Sequence, residues 1–323
     1  MDGRINGLKP AVMPKKTARA FAPATVANVG PGFDVFGFAL AGAGDTVEAR
    51  RAERPGARLV RVEGDGGHLP RSGPHCVVTV VAQAMLRAAR ARFGAELYLT
   101  KGLPLGSGLG SSAASAAATA MAVNALLTRP YGKMDLVGFA RLGEKAACGT
   151  PHADNVAPAI SGGFTLLTFQ EPLEIMPLPS PPRWWVAIAH PHLELPTRQA
   201  RAALRRSVPR CSLTANVGAA SGLVAALYTG NLKLFGRALM GDTVVEPVRA
   251  KLIRGYAAVK AAALANGAAG LSISGAGPSV FAVAGTRAAA ERTGRAMRQT
   301  WRSQGVDADI LISRFGAPGT QLI

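Results

Sequence analysis

Acidic side chains are scarce in this chain: 19 Asp and Glu stand against 37 Lys and Arg, a net charge of +18 over 323 residues. That imbalance disfavours a basic partner and favours an anionic one, either nucleic acid or a phosphorylated small molecule. Aromatics are few as well, at 6%, and none is interleaved with the arginines as a base-stacking surface would need. The arginines are scattered over many elements, the densest run being residues 198–210 with Arg198, Arg201, Arg205, Arg206 and Arg210 on one expected helix, and no base-reading module accompanies them, so no nucleic-acid partner is expected. Cysteines number 3, and Cys76, Cys148 and Cys211 are far apart with no CxxC pair. This excludes a disulfide framework and fits free thiols in a reducing cytoplasm. Arg, Lys or Gly interrupts every apolar run before the roughly 18 residues of a membrane span, so a soluble protein without a membrane partner is expected.

Small residues, by contrast, are concentrated in one place. Residues 103–119 read LPLGSGLGSSAASAAAT, a Gly/Ser loop running into a small-residue helix. A loop so poor in side chains lets backbone N–H groups converge on an anion, and the helix beginning near Gly110 adds the positive end of its dipole. The loop is not of the Walker type, because no Gly-Lys-Ser/Thr follows at the required spacing. It is not a dinucleotide fingerprint either, because no acidic residue stands about 20 positions on. Ser111 and Ser112 at the helix start are placed to cap free N–H groups or to bind Mg²⁺, and both roles suit a bound triphosphate.

Around this loop the pattern is mixed α+β. Strands are expected at 19–22, 46–50, 59–63 and 96–100, and amphipathic or small-residue helices at 75–93, 111–127 and 134–148, the last capped by Asp135. The proline cluster at 177–182 reads as a linker. A strand at 184–189 and helices at 198–206, 214–228, 232–240 and 247–266 follow. Strands at 271–274 and 280–284 then flank a second Gly-rich loop, SGAGPS at 274–279, and a helix and a strand at 309–313 close the chain. The organisation expected is a disordered extension over 1–16, an N-terminal domain over 17–181 that carries the phosphate loop, and a C-terminal α+β domain over 182–323.

Phosphate chemistry needs a group to hold a cation. Glu144 lies at the border of an apolar helix face beside Val137, Ala140 and Cys148, where an acid needs a cation or several donors; a salt bridge to Arg141 or Lys145 is the alternative. Residues 152–155, HADN, gather a base, an acid and an amide on one turn. Asn28 and Asp34 flank the Gly30-Pro31-Gly32 turn, where an amide and a carboxylate can read the amino end of a zwitterion or simply satisfy their own backbone. His190 and His192 share one side of a strand, without a third ligand nearby for a metal.

Four blocks occur in order: APATVANVGPGFDVFG, LPLGSGLGSSAAS, GTPHADNVAPAISGGFT and SISGAGPS. Together they resemble the homoserine kinases of the GHMP small-molecule kinase superfamily, from about residue 18 to about residue 315. The resemblance implies a two-domain α+β fold with a left-handed βαβ crossover in the N-terminal half, a homodimer, and transfer of phosphate from MgATP to L-homoserine. It implies that Pro104, Leu105, Gly106, Ser107, Gly108, Leu109, Gly110, Ser111, Ser112, Ala113 and Ala114 form the ATP loop, with Thr197 close to the transfer site. Ser112 and Glu144 would then hold Mg²⁺. Asn28, Asp34, His152, Asn155, Arg201 and Arg249 would hold the amino acid, with Asn155 orienting the hydroxyl and Asp154 standing as the alternative base. One departure is Cys76-Val77-Val78-Thr79 where these kinases commonly have Asn-Val-Ala-Gly, which bears on the adenine contact; the neighbouring His75 is a candidate substitute. Two further readings stay open: another GHMP kinase, acting on a mevalonate-type or sugar alcohol, and a non-catalytic nucleotide- or nucleic-acid-binding protein.

Overall fold

The computed structural model describes residues 12–323. A long antiparallel hairpin, β1 (Thr17–Val29) and β2 (Gly32–Ala52), comes first. β3 (Gly56–Glu63), α1 (Val77–Ala88) and β4 (Gly94–Thr100) follow as a βαβ unit whose strands pair in parallel. Next come α2 (Ser111–Ala125), α3 (Lys133–Cys148) and the short α4 (Val156–Ser161). A hairpin of β5 (Phe164–Gln170) and β6 (Leu173–Leu178) pairs with β2. The chain then passes through β7 (Trp185–Pro191), α5 (Thr197–Ala202), α6 (Arg210–Thr229), α7 (Leu232–Leu239) and α8 (Glu246–Arg249). It closes through α9 (Tyr256–Ala265), β8 (Gly270–Ile273), β9 (Val280–Ala284), α10 (Arg287–Arg302), β10 (Ala308–Arg314) and β11 (Gln321–Leu322).

Two sheets result. The first has 7 strands along the path β11-β1-β2-β4-β3, with β5 paired to β2 and β6 to β5; the second has 4, in the order β10-β7-β9-β8. A helix with apolar residues all round must be buried, and α2 meets that condition with alanine: Ala113, Ala114, Ala116, Ala117, Ala118 and Ala120 are all at 0% exposure. Small side chains let this helix lie tight against β1 and β2, which fixes the loop at its N-terminus. The two sheets share a core through aromatics. Phe38 of β2 stacks on Phe315 at 4.7 Å and meets Phe281 of β9 at 5.5 Å, while Trp184 meets Phe315 at 5.5 Å. Each such pair adds roughly 0.5–1.5 kcal/mol beyond its buried area.

Several expectations need correction. Residues 22–37 are mostly strand, with only the Gly30-Pro31 step outside β1 and β2, so the ligand-reading segment is the tip of a hairpin. The proline cluster does not begin a linker at 177, because Pro177 and Leu178 pair with Thr165 and Phe164. The helix expected at 198–206 stops at Ala202, which leaves Arg205 and Arg206 in a loop while Arg210 opens α6. The helix expected at 247–266 is broken into α8, a 3-10 turn and α9, because Gly255 takes a left-handed φ of 77°. One helix, Arg210–Thr229, is long and apolar enough by composition to cross a membrane; its glycines do not break it, and from Cys211 on it carries no charge. Of the extension expected at 1–16, residues 1–11 lie outside the described residues, while the Val12 and Lys15 amides donate to the Thr128 and Ala125 carbonyls at 2.8 and 3.0 Å. The step from 181 to 182 falls between the two sheets, and β11 returns the last residues to the first sheet.

Candidate functional site

The loop between β4 and α2 is built from backbone. Gly106, Gly108 and Gly110 take φ values of 64°, 78° and 67°, and Gly110 is the left-handed N-cap of α2, with no side chain capping the helix. Neither serine caps it, so the first N–H groups of α2 remain free for an anion; the Ala114 amide is already bonded to the Gly110 carbonyl at 2.8 Å. Two glycines are needed for close approach. A Cβ on Gly108 would lie 2.5 Å from the Ser274 carbonyl oxygen, and one on Gly110 would lie 2.0 Å from the Thr25 hydroxyl. The SGAGPS loop braces the first loop from behind, with the Ser274 hydroxyl donating to the Gly108 carbonyl at 2.8 Å. Ser107 donates to the Pro104 carbonyl at 2.9 Å, and the Leu109 carbonyl accepts the Thr25 amide at 3.1 Å. The Ala113 and Ala114 side chains face the core, so any part they take in binding is through backbone.

Sequence reasoning missed Lys101. It is 7% exposed, pairs with Asp45 of β2, and donates to the Ser111 hydroxyl at 2.7 Å and the Ser111 carbonyl at 2.9 Å. Asp45 also accepts from Ser115 at 2.6 Å and from the Gly102 amide at 3.1 Å. Burial lowers the Lys101 pKa and the Asp45 charge opposes it. The loop does have its lysine, two residues before Leu103, working from beneath the first turn of α2. A Lys directly before a Gly-rich loop was the available signal.

Four separate segments meet opposite this loop. Asn28 and Asp34 take left-handed φ values of 54° and 56°, which Asn and Asp tolerate best among residues with a Cβ, and the Asn28 side-chain oxygen accepts the Asp34 amide at 2.9 Å. Arg201 of α5 holds the Asp34 carboxylate bidentately at 2.6 and 3.1 Å. His152 Nδ1 is 3.7 Å from Asp34. Arg249, at the end of α8, is 1% exposed and donates to the Gly275 carbonyl at 2.8 Å. The Phe33 ring centroid lies 5.2 and 5.1 Å from the Arg201 and Arg249 guanidinium carbons, so both cations contact one aromatic ring. Asn155, just before α4, accepts the Thr25 hydroxyl at 2.7 Å, which leaves its NH₂ as the free group.

A cavity of about 420 Å³ joins the two halves. Leu105, Gly106, Ser107, Gly108, Gly110, Ser111 and Ser112 line it from the loop, and Asn28, Glu144, His152, Asp154, Asn155, Thr197, Arg201 and Arg249 from the other segments. Asp34 reaches it only through Arg201 and His152; Pro104, Leu109, Ala113 and Ala114 do not line it. Buried polar atoms are nearly always paired, yet among the described residues the unpaired ones are Glu144 Oε1, His152 Nε2, Arg201 Nε, Arg249 Nε and Nη2, and the Tyr256 hydroxyl. All but the last belong to residues lining this cavity.

The charges are correspondingly strained. Burial raises the Glu144 pKa against the Ser112 hydroxyl and the charges of Arg201 and Lys101; the alternative reading, a salt bridge to Arg141 or Lys145, is not among the ion pairs of the described residues. Burial, with Asp34 and Glu144, pushes Asp154 up to about 7. Burial lowers the His152 pKa and, with the neighbouring Arg201, pushes Arg249 down to about 10. Asp34, His152 and Asp154 have ligand atoms within 4.8 Å of one another, but Arg201 already occupies Asp34. His190 and His192 engage Ser279 and Asp309 at 3.0 and 2.9 Å. Cys76, 2% exposed, stands at the N-cap of α1 without capping it, and His75 contacts the Ala146 carbonyl at 3.1 Å; both line the cavity.

Known proteins share this architecture. Residues 76–163 match the GHMP kinases N terminal domain and residues 223–303 the GHMP kinases C terminal domain. A homoserine kinase of Chlorobium phaeobacteroides (strain DSM 266) is 46% identical over 321 residues, covering 95% of this chain and 100% of its own. One from Methanococcus maripaludis (strain C5) is 41% identical over 269 residues, covering 83% and 88%. The crystal structure of homoserine kinase from Cytophaga hutchinsonii superposes with a TM-score of 0.93 at 42% identity, covering 97% of this chain and 99% of that one. Leishmania major mevalonate kinase, at TM-score 0.74 and 16% identity over 96% of this chain and 99% of that one, shares the fold.

Proposed function

The chain belongs to the homoserine kinases of the GHMP superfamily, and from that premise we propose that it transfers the γ-phosphoryl group of ATP to the side-chain hydroxyl of L-homoserine. The observation that carries this reading is the set of unpaired polar atoms around one cavity, a carboxylate oxygen, an imidazole nitrogen and two guanidinium groups, facing a backbone anion cradle. An amino acid brings an ammonium for Asp34 and a carboxylate for Arg249 and Arg201. Arg201 holds the Asp34 carboxylate bidentately at the edge of the cavity. Mevalonate and galactose, the alcohols bound in two solved structures of this fold, bring no ammonium for that carboxylate.

Phosphoryl transfer through a loose transition state depends on positioning and electrostatics. The free amides at the start of α2 take the phosphates, and the Lys101–Asp45 pair holds that turn rigid. Mg²⁺ fits Ser112 and Glu144, because Glu144 is a buried carboxylate with an orphaned oxygen; when bound it would neutralise phosphate charge. The Asn155 NH₂ orients the hydroxyl, whose oxygen forms the new O–P bond as the bond to ADP breaks and the proton is released. A second reading, in which Asp154 takes that proton, is favoured by its pKa of about 7, where a general base works best. Thr197 lines the cavity near these groups. The same reading carries domains at 17–181 and 182–323, a homodimer and a cytoplasmic location, the last in keeping with three free cysteines.

ADP release in a coupled assay with MgATP tests the proposal. Stimulation by L-homoserine, and not by D-homoserine, L-serine, L-threonine, mevalonate or galactose, is expected. Turnover of mevalonate or galactose in place of homoserine would overturn the substrate, and ATP binding without turnover of any of these would overturn the kinase.

A further inference from the structure

Arg249 is the most confined charge in the cavity, and it hangs on a helix of only 4 residues, too short to persist unaided. The groups that hold α8 are buried behind it. Asp242 holds the turn that leads into it: one carboxylate oxygen accepts the Val244 and Val245 amides at 2.8 and 3.0 Å, and the other accepts the Glu246 amide at 2.8 Å. Asn216 of α6 donates to the same carboxylate at 3.1 Å. Glu246, 8% exposed, is bound by Lys260 of α9 and accepts the Ser272 hydroxyl of β8 at 2.6 Å. None of these groups lines the cavity.

We propose that Asp242 and Glu246 are positioning residues for recognition of the substrate carboxylate: by tying α8 to α6, α9 and β8, they aim the unpaired nitrogens of Arg249 into the cavity. Net stability alone does not require this arrangement, since a buried ion pair is often replaceable by apolar groups without loss. What the pair adds is a fixed direction for a guanidinium whose Nε and Nη2 have no partner of their own. The inference rests on the reading that Arg249 receives the homoserine carboxylate, and the test separates the two.

Steady-state kinetics on Glu246→Gln, Arg249→Met and the double variant decide the matter. Glu246→Gln should fold, because the Lys260 side chain it releases is 23% exposed and can hydrate. Its KM for L-homoserine should rise about tenfold with the KM for ATP unchanged, Arg249→Met should raise it about 100-fold, and the double variant should be no worse than Arg249→Met. If Glu246→Gln left the homoserine KM as it was, raised both KM values alike, or multiplied the effect of Arg249→Met, the positioning role would be wrong. If Arg249→Met itself left the homoserine KM unchanged, the carboxylate reading would fail, and this inference with it. Should Glu246→Gln fold poorly, Ser272→Ala removes a single hydrogen bond from Glu246 and should still raise the homoserine KM selectively, by about twofold to fourfold; no rise would again refute the inference.

Discussion

The phosphate end of the cavity comes from one run of chain, residues 103–114, and offers mainly backbone. The amino-acid end takes Asn28 from a hairpin tip, with Asp34 behind it, His152 to Asn155 from just before α4, Arg201 from α5 and Arg249 from α8, and offers mainly side chains. A triphosphate presents the same anionic oxygens whatever the acceptor alcohol, so a rigid cradle of amides suits it. The second substrate differs among members of the superfamily, and side chains borne on four segments can change without disturbing the cradle. The two ends meet at Glu144, whose pKa feels both Lys101 beneath the loop and Arg201 on the far side.

This contrast makes the variants separable. Glu144→Gln strikes the junction and should have the largest effect, about 10³-fold or more in kcat. Its thermal stability should be unchanged or higher, because a buried unpaired carboxylate is removed; a kcat within tenfold of the parent would remove Glu144 from the phosphate end. Lys101→Met leaves Asp45 buried and uncompensated, so about 3–5 kcal/mol of stability should be lost in chemical denaturation, with the ATP KM rising and the homoserine KM steady. Asp34→Asn should raise the homoserine KM by roughly 10–100-fold with the ATP KM unchanged. Equal effects on both substrates would break the division between the two ends.

Asp154 supplies a pH test. Burial pushes its folded pKa up to about 7, above the ordinary carboxylate range near about 4, so the folded state binds this proton more tightly than the unfolded one. Stability from this group is full below about pH 4, falls as the pH rises towards 7 and is level above that, by at most about 4 kcal/mol. Asp154→Asn should abolish this slope in melting temperatures taken from pH 4 to 8. It should keep kcat within about tenfold if Asn155 alone orients the hydroxyl, and loss of turnover with nucleotide binding intact would make Asp154 the base. The smallest effect expected is for His75→Ala, about twofold to threefold in the ATP KM, as befits an exposed contact to a backbone carbonyl.

The phosphate end was legible because its chemistry and its sequence are contiguous: glycines at 106, 108 and 110 with serines at 111 and 112 state the loop directly. Lys101 was not, because its role comes from Asp45, a partner on another strand. Glu144 at the junction and Asp34 at the other end each had an ordinary local reading, Arg249 had none, and only the family likeness carried by four spaced blocks drew them together. The break after α8 escaped a helical reading because residues 247–266 are rich in alanine, while a single left-handed Gly255 decides the geometry. The β5–β6 hairpin escaped because prolines at its end looked like a linker.

The most direct test of the account is ³¹P NMR of one reaction containing MgATP, L-homoserine and mevalonate in equal amounts. The account predicts a single new phosphomonoester resonance, matching O-phospho-L-homoserine and growing as the γ-phosphate of ATP declines, and its loss in Asp34→Asn at the same substrate concentration. A monoester of mevalonate, or ATP left intact beside folded protein, would contradict it.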